Sequence, residues 1–196
     1  MTKHPASIAL GALAMLATDL FAAEPTFDCA KVEGQVEALI CGDSALAALD
    51  LKLAAAYDRA LERVRRDGYE DPRVIQRGWI KGRNDCWKAE DMRACVETNY
   101  KQRIAELQIQ YGDREVPSQV NYRCGDMDLA VVFYPETDPP TAVLTPIGSE
   151  DEGQVILFRS PSGSGAKYDG RNASFWEHQG EALLVWQQRE MTCGAL

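Results

Sequence analysis

Histidine is scarce in this chain, and the cysteine spacing of metal and redox motifs is missing. The sequence has two histidines, His4 near the amino terminus and His178 in the second half. No two cysteines are separated by two residues, which excludes a zinc knuckle or a thioredoxin-type motif. The single histidine beyond the amino-terminal region and the lack of a nucleophile elbow argue against a Ser-His-Asp hydrolase. The sequence therefore predicts a protein without metal, cofactor or catalytic residues.

Basic residues are also in short supply. The chain carries 21 lysines and arginines against 30 aspartates and glutamates, a net charge of −9. Most of the excess lies in residues 116–196, with 11 acidic and 5 basic residues. Acidity makes nucleic acid and anionic membranes poor partners and favours association with a strongly cationic protein. Acidity that only keeps an exported protein soluble is the alternative interpretation.

The chain has no apolar run long enough to span a membrane. Its most apolar stretch, residues 8–16, follows Lys3 and precedes Ala22-Ala23, which is typical of a secretory signal peptide over residues 1–23. The first cysteine, Cys29, follows Thr-Phe-Asp, so no lipoprotein box is seen. We therefore expect a periplasmic or secreted protein.

All six cysteines follow the expected signal peptide, and an even number in an oxidising compartment indicates disulfide bonds. Several pairings are possible. The simplest is sequential by region: Cys29 with Cys41, Cys86 with Cys95, and Cys124 with Cys193. In one unbroken helix Cys29 and Cys41 would lie roughly 18 Å apart, at about 1.5 Å per residue. Their pairing therefore requires the chain to fold back between them.

Residues 24–111 have the periodicity of helices. Apolar side chains recur every three or four residues over 44–66, with Ser44 as the expected N-cap. Shorter helices are predicted over 32–40, 72–86 and 92–111. The apolar faces are short and polar residues interrupt them, so disulfides are expected to support the core. This part is predicted to be a small helical domain.

After a linker at residues 112–119 the apolar period changes to two. Leu129, Val131 and Phe133 alternate with their neighbours. Further short apolar segments lie at 142–144, 155–158, 174–176 and 182–186. Short strands separated by turns with Pro and Gly predict an antiparallel barrel or sandwich over residues 120–196. The expected fold class is therefore α+β, with a helical domain followed by a β domain.

A serine- and glycine-rich segment, 160–168, lies between two of these strands. Gly163 and Gly165 flank Ser164, so the backbone there can adopt turn geometries that lift a small hydroxyl outward. A flexible loop without a binding role is the alternative interpretation.

Several motifs of the second half belong together. They are Tyr122-Arg123-Cys124, Ser162-Gly-Ser-Gly-Ala-Lys-Tyr168, Phe175-Trp176, Gly180-Glu181-Ala182 and Cys193. This set resembles the MliC/PliC family of periplasmic inhibitors of c-type lysozyme and covers nearly the whole second half. The resemblance implies a small eight-stranded antiparallel barrel held by one disulfide.

The resemblance also implies a binding mode, in which a loop enters the lysozyme cleft and a serine hydroxyl contacts the catalytic carboxylates. Matched by motif, that serine is Ser164. The other loop residues matched by the motif are Ser162, Gly165, Ala166, Lys167 and Tyr168. The family's second motif has a lysine before its glycine, and in this chain either His178 or Gln179 stands in its place. A full positive charge is therefore missing from that motif.

The first half resembles the LprI-type N-terminal helical domain of exported bacterial proteins. The matching residues are Phe27-Asp28-Cys29, Glu37, Ile40-Cys41, Leu46, Leu49-Asp50, Tyr57, Trp79, Arg83-Asn84-Asp85-Cys86, Tyr100, Arg103-Ile104 and Leu107. Among them Asp50, Trp79 and Arg83 are interpreted as a buried Arg-Asp pair packed by Trp. A surface site is the alternative.

Together these observations predict a non-enzymatic periplasmic inhibitor whose partner is c-type lysozyme, bound through the loop around Ser164. The alternative is a periplasmic binding or envelope-assembly module that kept the barrel fold and changed its partner.

Overall fold

The computed structural model describes residues 23–112, 115–148 and 153–196. The predicted signal peptide, apart from its last residue, lies outside this part of the chain. The predicted α+β fold class is confirmed, because helices occupy the first half and strands the second. The division into two domains at residues 112–119 stays a prediction.

Four helices form the first half. They are α1 (Gln35–Gly42), α2 (Ser44–Asp67), α3 (Arg73–Asn84) and α4 (Met92–Tyr111), with short 3-10 turns at Cys29–Lys31 and Asp85–Lys88. Ser44 as the N-cap of α2 is wrong. The cap is Asp43, whose carboxylate accepts hydrogen bonds from the backbone nitrogens of Ala45 and Leu46. The aspartate one residue upstream therefore satisfies the amides that a serine cap was expected to bind.

Eight strands form the second half. They are β1 (Gln119–Cys124), β2 (Met127–Tyr134), β3 (Thr141–Ile147), β4 (Val155–Ser160), β5 (Ala166–Asp169), β6 (Ala173–His178), β7 (Glu181–Trp186) and β8 (Arg189–Ala195). Each pairs with its sequence neighbour in antiparallel orientation, and β1 pairs with β8 to close a barrel. The closure decides between the barrel and the sandwich, and leaves no unpaired sheet edge.

The six cysteines form the sequential pairs. Cys29 bonds Cys41, Cys86 bonds Cys95, and Cys124 bonds Cys193. The 3-10 turn at Cys29–Lys31 and the extended backbone of Val32 fold the chain back, which brings the Cα atoms of Cys29 and Cys41 to 5.9 Å. Cys124 and Cys193 are opposite residues on β1 and β8, so their bond lies across the barrel seam.

Two separate hydrophobic cores hold the two halves. The barrel core contains side chains such as Leu129, Leu144, Leu157, Phe175 and Leu184, all fully buried. An eight-stranded barrel has an interior that side chains fill. The helical core is built from α1, α2 and α4 around Ile40, Leu46, Tyr100, Ile104 and Leu107.

A buried polar network lies in the helical half. The side chains of Asp50 and Arg83 are 4.0 Å apart, and the hydroxyl of Tyr100 joins them by donating to Asp50 (2.8 Å) and accepting from Arg83 (2.7 Å). The ring of Trp79 packs edge-on against Tyr100, with 5.3 Å between centroids. The interpretation of a buried Arg-Asp pair packed by Trp is therefore correct, with Tyr100 as the bridge that the sequence did not indicate.

Candidate functional site: a fixed loop at one end of the barrel

Two connections of the barrel lie side by side at one end. In an antiparallel barrel alternate connections share an end, which places the loop 161–165 with the turn 179–180. Strand β5, which follows the loop, pairs with β6, which leads into the turn, and Ala166 lies opposite Glu177. The fold therefore brings together the serine loop and the His178-Gln179 motif, which are well separated in sequence.

Gly165 is the point where the loop packs against strand β6. It has a φ of +66°, and a Cβ on it would lie 2.2 Å from the carbonyl oxygen of Glu177 and 3.1 Å from the Cβ of His178. Any other residue would collide with the β6 backbone and adopt a strained conformation. Gly163 has nothing within 4 Å of such an added Cβ. Of the two glycines, Gly165 is therefore the one on which the loop position depends.

Three side chains hold the backbone carbonyls of the loop. The indole Nε1 of Trp176 donates to the Ser164 oxygen at 2.8 Å. The Gly165 oxygen accepts from Arg159 Nη2 at 3.1 Å and from the Ser162 hydroxyl at 3.3 Å. These bonds hold the two peptide groups on either side of the Gly165 Cα.

The Ser164 side chain is exposed. Its hydroxyl makes no hydrogen bond to any residue that the structure describes. A hydroxyl can donate one hydrogen bond and accept two. The arrangement therefore presents a polar group with its full hydrogen-bonding capacity on a backbone that side chains hold.

The residues that follow the loop differ in exposure. Ala166 and Lys167 are half-buried, and the ammonium of Lys167 forms an ion pair with Asp169 at 3.2 Å. Tyr168 is only 7% exposed and its ring packs on Phe133 with 5.6 Å between centroids. Arg159 lies over the outer face of that ring at 5.6 Å. Tyr168 therefore supports the loop from the core, and its predicted contact with a partner stays a prediction.

The two residues of the departing motif form an exposed corner beside the loop. His178 ends β6 and Gln179 begins a tight turn, with φ of +56° at Gln179 and +85° at Gly180. The Glu177 carboxylate accepts a hydrogen bond from the Gly180 nitrogen at 3.2 Å and closes the turn. Both His178 and Gln179 are exposed, so either side chain can reach a partner bound at the loop.

The sequence missed two residues of this site. Arg159 belongs to no motif of the sequence, and Trp176 was identified only as part of the Phe175-Trp176 motif, although it is 37% exposed and donates to the loop backbone. The signal was present in the strand pairing: Trp176 pairs with Lys167, directly after the loop. Every residue has a backbone carbonyl, however, so the sequence alone does not show which carbonyl accepts a side-chain hydrogen bond.

Two features, a cluster of metal-ligating side chains and a membrane-spanning helix, are not found in the described residues. Within residues 23–112, 115–148 and 153–196, no group of three or more His, Cys, Asp or Glu side chains is placed to hold a metal ion. In the same ranges no helix is long and apolar enough to cross a membrane.

Comparison with known proteins agrees with this architecture. Residues 122–192 match the family MliC, described as membrane-bound lysozyme-inhibitor of c-type lysozyme. Lipoprotein LprI of Mycobacterium tuberculosis and that of Mycobacterium bovis are each 36% identical to the chain over 170 residues, which cover 86% of this chain and 83% of the relative. The chain therefore belongs to the family of the mycobacterial LprI lipoproteins, and its barrel is a domain of the MliC lysozyme-inhibitor family.

Proposed function

We propose that this protein inhibits c-type lysozyme without enzymatic activity, by inserting the loop 161–165 into the lysozyme active-site cleft. One observation carries the proposal. The Ser164 hydroxyl is exposed and without a partner in the described residues, on a backbone held by Trp176, Arg159 and the close contact of Gly165. The membership of the barrel in a lysozyme-inhibitor family supports it.

The chemistry of a lysozyme cleft suits a hydroxyl. The cleft has two carboxyl groups, one protonated as the general acid and one ionised. A serine hydroxyl can donate to the ionised group and accept from the protonated one. Ser164 is small and has glycines on both sides, so its backbone can approach the carboxyl groups closely.

The fixed loop lowers the cost of binding. Ordering a flexible loop on association costs about 0.5–1.5 kcal/mol for each immobilised side chain. In this barrel the backbone of residues 164 and 165 is already held by three hydrogen bonds in the free protein. The affinity is therefore expected to show mainly in slow dissociation.

The charge of the barrel favours the same partner. Glu136 and Glu181 are exposed on a connection and a strand end of the barrel end that carries the loop. A negative surface attracts a cationic enzyme and raises the association rate, more strongly at low salt. We expect the surface charge to raise the association rate and the loop to lengthen the lifetime of the complex.

Introducing a negative charge at Ser164 tests the proposal. The Ser164→Asp variant is expected to lose inhibition by about a hundredfold or more, because it places a carboxylate beside those of the enzyme. Ser118→Asp is the matched control, an exposed serine at the start of the barrel half with the same charge change. Inhibition of peptidoglycan lysis by a c-type lysozyme is measured, together with the barrel's circular dichroism. The proposal fails if the parent protein does not slow lysozyme at micromolar concentration, or if Ser164→Asp inhibits like the parent.

We further propose that the protein acts in the cell envelope as a soluble periplasmic or secreted form. Its relatives are named lipoproteins, and a lipid thioether requires a cysteine sulfur. All six cysteines of this sequence are in disulfides, including Cys29, which follows the expected signal peptide. The mature protein is therefore expected in the aqueous phase of a detergent partition with an unmodified intact mass; partition into the detergent phase would contradict it.

One observation favours a second candidate, an envelope-binding or assembly module with a different partner. The lysine expected from the MliC pattern is absent, and His178 and Gln179 occupy the exposed corner beside the loop. A pull-down from an envelope extract separates the two, because a lysozyme inhibitor needs no native bacterial partner. Specific capture of an envelope protein that Ser164→Asp does not disturb would favour the module.

A further inference from the structure

A groove in the helical half takes no part in the proposed loop interaction. It has a volume of about 930 Å³ and lies between the segment that precedes α1, helix α2 and helix α3. This is within the size range of pockets that bury a ligand or a partner's side chains. Its lining includes Asp50, Trp79 and Arg83, the residues for which the sequence offered a surface site as the alternative interpretation.

The walls of the groove are apolar and held in place. Phe27, Tyr57, Trp79 and Ile80 line it from the three elements. The indole Nε1 of Trp79 donates to the Asn99 carbonyl of α4 at 3.2 Å, and Ile80 is 41% exposed. An exposed apolar surface with a fixed aromatic ring is suited to an aliphatic or aromatic side chain.

The charged residues at the floor of the groove, Asp50 and Arg83, form hydrogen bonds with neighbouring protein groups. Asp50 accepts hydrogen bonds from the nitrogen and hydroxyl of Thr26, at 2.7 and 2.6 Å, in addition to that of Tyr100. Arg83 donates to Tyr100 and, through Nε and Nη2, to the Asn84 side-chain oxygen. Each of the three guanidinium nitrogens thus donates to a protein group, and the Arg83 side chain is only 6% exposed, so an anionic ligand has little access to it.

The carboxylate of Glu37 has capacity left. Its Oε1 accepts from Asn84 Nδ2 at 2.5 Å and lies 3.5 Å from Arg83 Nη2. Its Oε2 accepts no hydrogen bond from the described residues, and its side chain is 24% exposed. Glu37 and Asp50 share the guanidinium of Arg83, and the exposed Glu33 lines the same groove. The other two charged residues of the lining, Asp28 and Lys31, form an ion pair with each other at 2.7 Å. Negative charge is therefore in excess next to an apolar wall.

We propose that this groove binds a segment of a basic partner protein through a lysine or arginine side chain, with the aliphatic stem against Trp79 and the cationic head at Glu37. Such side chains combine an apolar stem with a charged end, which matches the two parts of the groove. The observation that carries the assignment is the fixed apolar wall next to a carboxylate oxygen with unused acceptor capacity.

The test uses the full chain, labelled with nitrogen-15, and a short peptide of alternating lysine and leucine as the probe. The Trp79 indole signal is expected to shift saturably with this peptide. Glu37→Gln is expected to weaken binding about tenfold, the loss of one charge-assisted hydrogen bond. Ile80→Lys, at an exposed position that tolerates lysine, is expected to weaken it by at least as much through repulsion. Glu62→Gln, an exposed carboxylate elsewhere on α2, is the matched control and is expected to bind like the parent.

Three results would overturn the assignment. The first is no saturable shift of the Trp79 indole signal. The second is equal binding of a peptide with glutamine in place of lysine, which would show an apolar occupant without a cation. The third is equal weakening by Glu62→Gln, which would show attraction by the net charge alone. No lysozyme is present in this experiment, so its failure leaves the proposed inhibition untouched.

Discussion

At the scale of single residues, the binding loop depends on groups that contact its backbone. Trp176 and Arg159 donate to carbonyl oxygens of residues 164 and 165, and Gly165 permits a close approach that a Cβ would prevent. The exposed serine is thus one part of a local structure that includes Trp176, Arg159 and Gly165. Arg159 also connects the loop to the core, because the same guanidinium lies over the ring of Tyr168.

Trp176→Phe isolates the contribution of one loop hydrogen bond. The substitution removes the indole N–H and keeps an aromatic ring on the outer face of β6. Loss of one hydrogen bond to the Ser164 carbonyl is expected to destabilise the held conformation of the loop by about 1 kcal/mol. Dissociation from lysozyme is therefore expected to be about fivefold faster. The melting temperature of the barrel is expected to change little, because Trp176 is partly exposed.

Dissociation rates by interferometry and amide order parameters of residues 163–165 measure the effect of Trp176→Phe. Trp87→Phe, an exposed tryptophan of the helical half, serves as the control. Unchanged order parameters in Trp176→Phe would show that the indole hydrogen bond does not hold the loop, whether or not lysozyme is the partner.

At the scale of elements, the helices depend on their caps and on ties between helices. Asp43 caps α2 and its second oxygen accepts from Arg93 Nε of α4 at 2.7 Å. The start of α2 is thereby fixed to the start of α4. The backbone hydrogen bond from Leu46, followed by the hydrogen bond and charge of Arg93, holds the pKa of Asp43 below its ordinary value.

The lowered pKa gives Asp43 a pH-dependent role. The folded state favours the ionised carboxylate, so its contribution to stability is present above the pKa of the unfolded chain, about 3.9. It is lost as pH falls below that value through the lower folded pKa. Asp43→Ala is therefore expected to lower the free energy of unfolding by about 1 kcal/mol at neutral pH and by less at about pH 3.

Urea unfolding at the two pH values measures the role of Asp43. Asp58→Ala removes another carboxylate from α2 at an exposed position without a cap, and is expected to leave stability nearly unchanged at both. A loss of stability in Asp43→Ala that stays the same from neutral to acid pH would contradict the role of the ionised carboxylate.

Elements with a strong period were predictable from sequence, and short ones were not. The helix expected at 92–111 is α4, and that at 44–66 differs from α2 by one residue. Helix α1 begins at Gln35 and not at 32, because the chain first turns back to form the Cys29–Cys41 bond. Strands β1, β5 and β8 were not predicted from the periodicity, since β5 has four residues and β1 and β8 have few apolar ones. All three are held by their partners in the barrel and not by their own pattern.

The site was predictable only as far as its motif. Ser164 and Gly165 were identified by resemblance, and the exposure of Ser164 agrees with a presented hydroxyl. The partners of the loop backbone depend on the register between β5 and β6, which juxtaposes residues eleven positions apart such as Ala166 and Glu177. Such contacts across strands are set by barrel closure and cannot be derived from local residue types.

At the scale of the whole molecule, the two halves have separate disulfides and separate hydrophobic cores. Each of the three disulfides stays within one half, and the two hydrophobic cores share no residue. An ion pair at 3.4 Å between Lys101 of α4 and Asp138 of the barrel joins the halves. The Cys124–Cys193 bond closes a loop of 69 residues across the barrel seam, a constraint on the unfolded chain of about 4 kcal/mol in the loop-closure model. Both proposed binding surfaces also lie within one half each.

This separation predicts that residues 24–111 and 120–196 fold when produced apart. Each half is expected to unfold cooperatively, because its core and disulfides remain complete. The barrel half is expected to inhibit lysozyme within about threefold of the full chain, and the lysine-leucine peptide to bind only the helical half. Calorimetry and the two binding assays, on equal molar amounts of the halves and the full chain, measure these expectations. If the barrel half unfolds without cooperativity, the two halves do not fold independently. If it is folded but inhibits far more weakly than the full chain, the helical half contributes to inhibition and is not a separate binding domain.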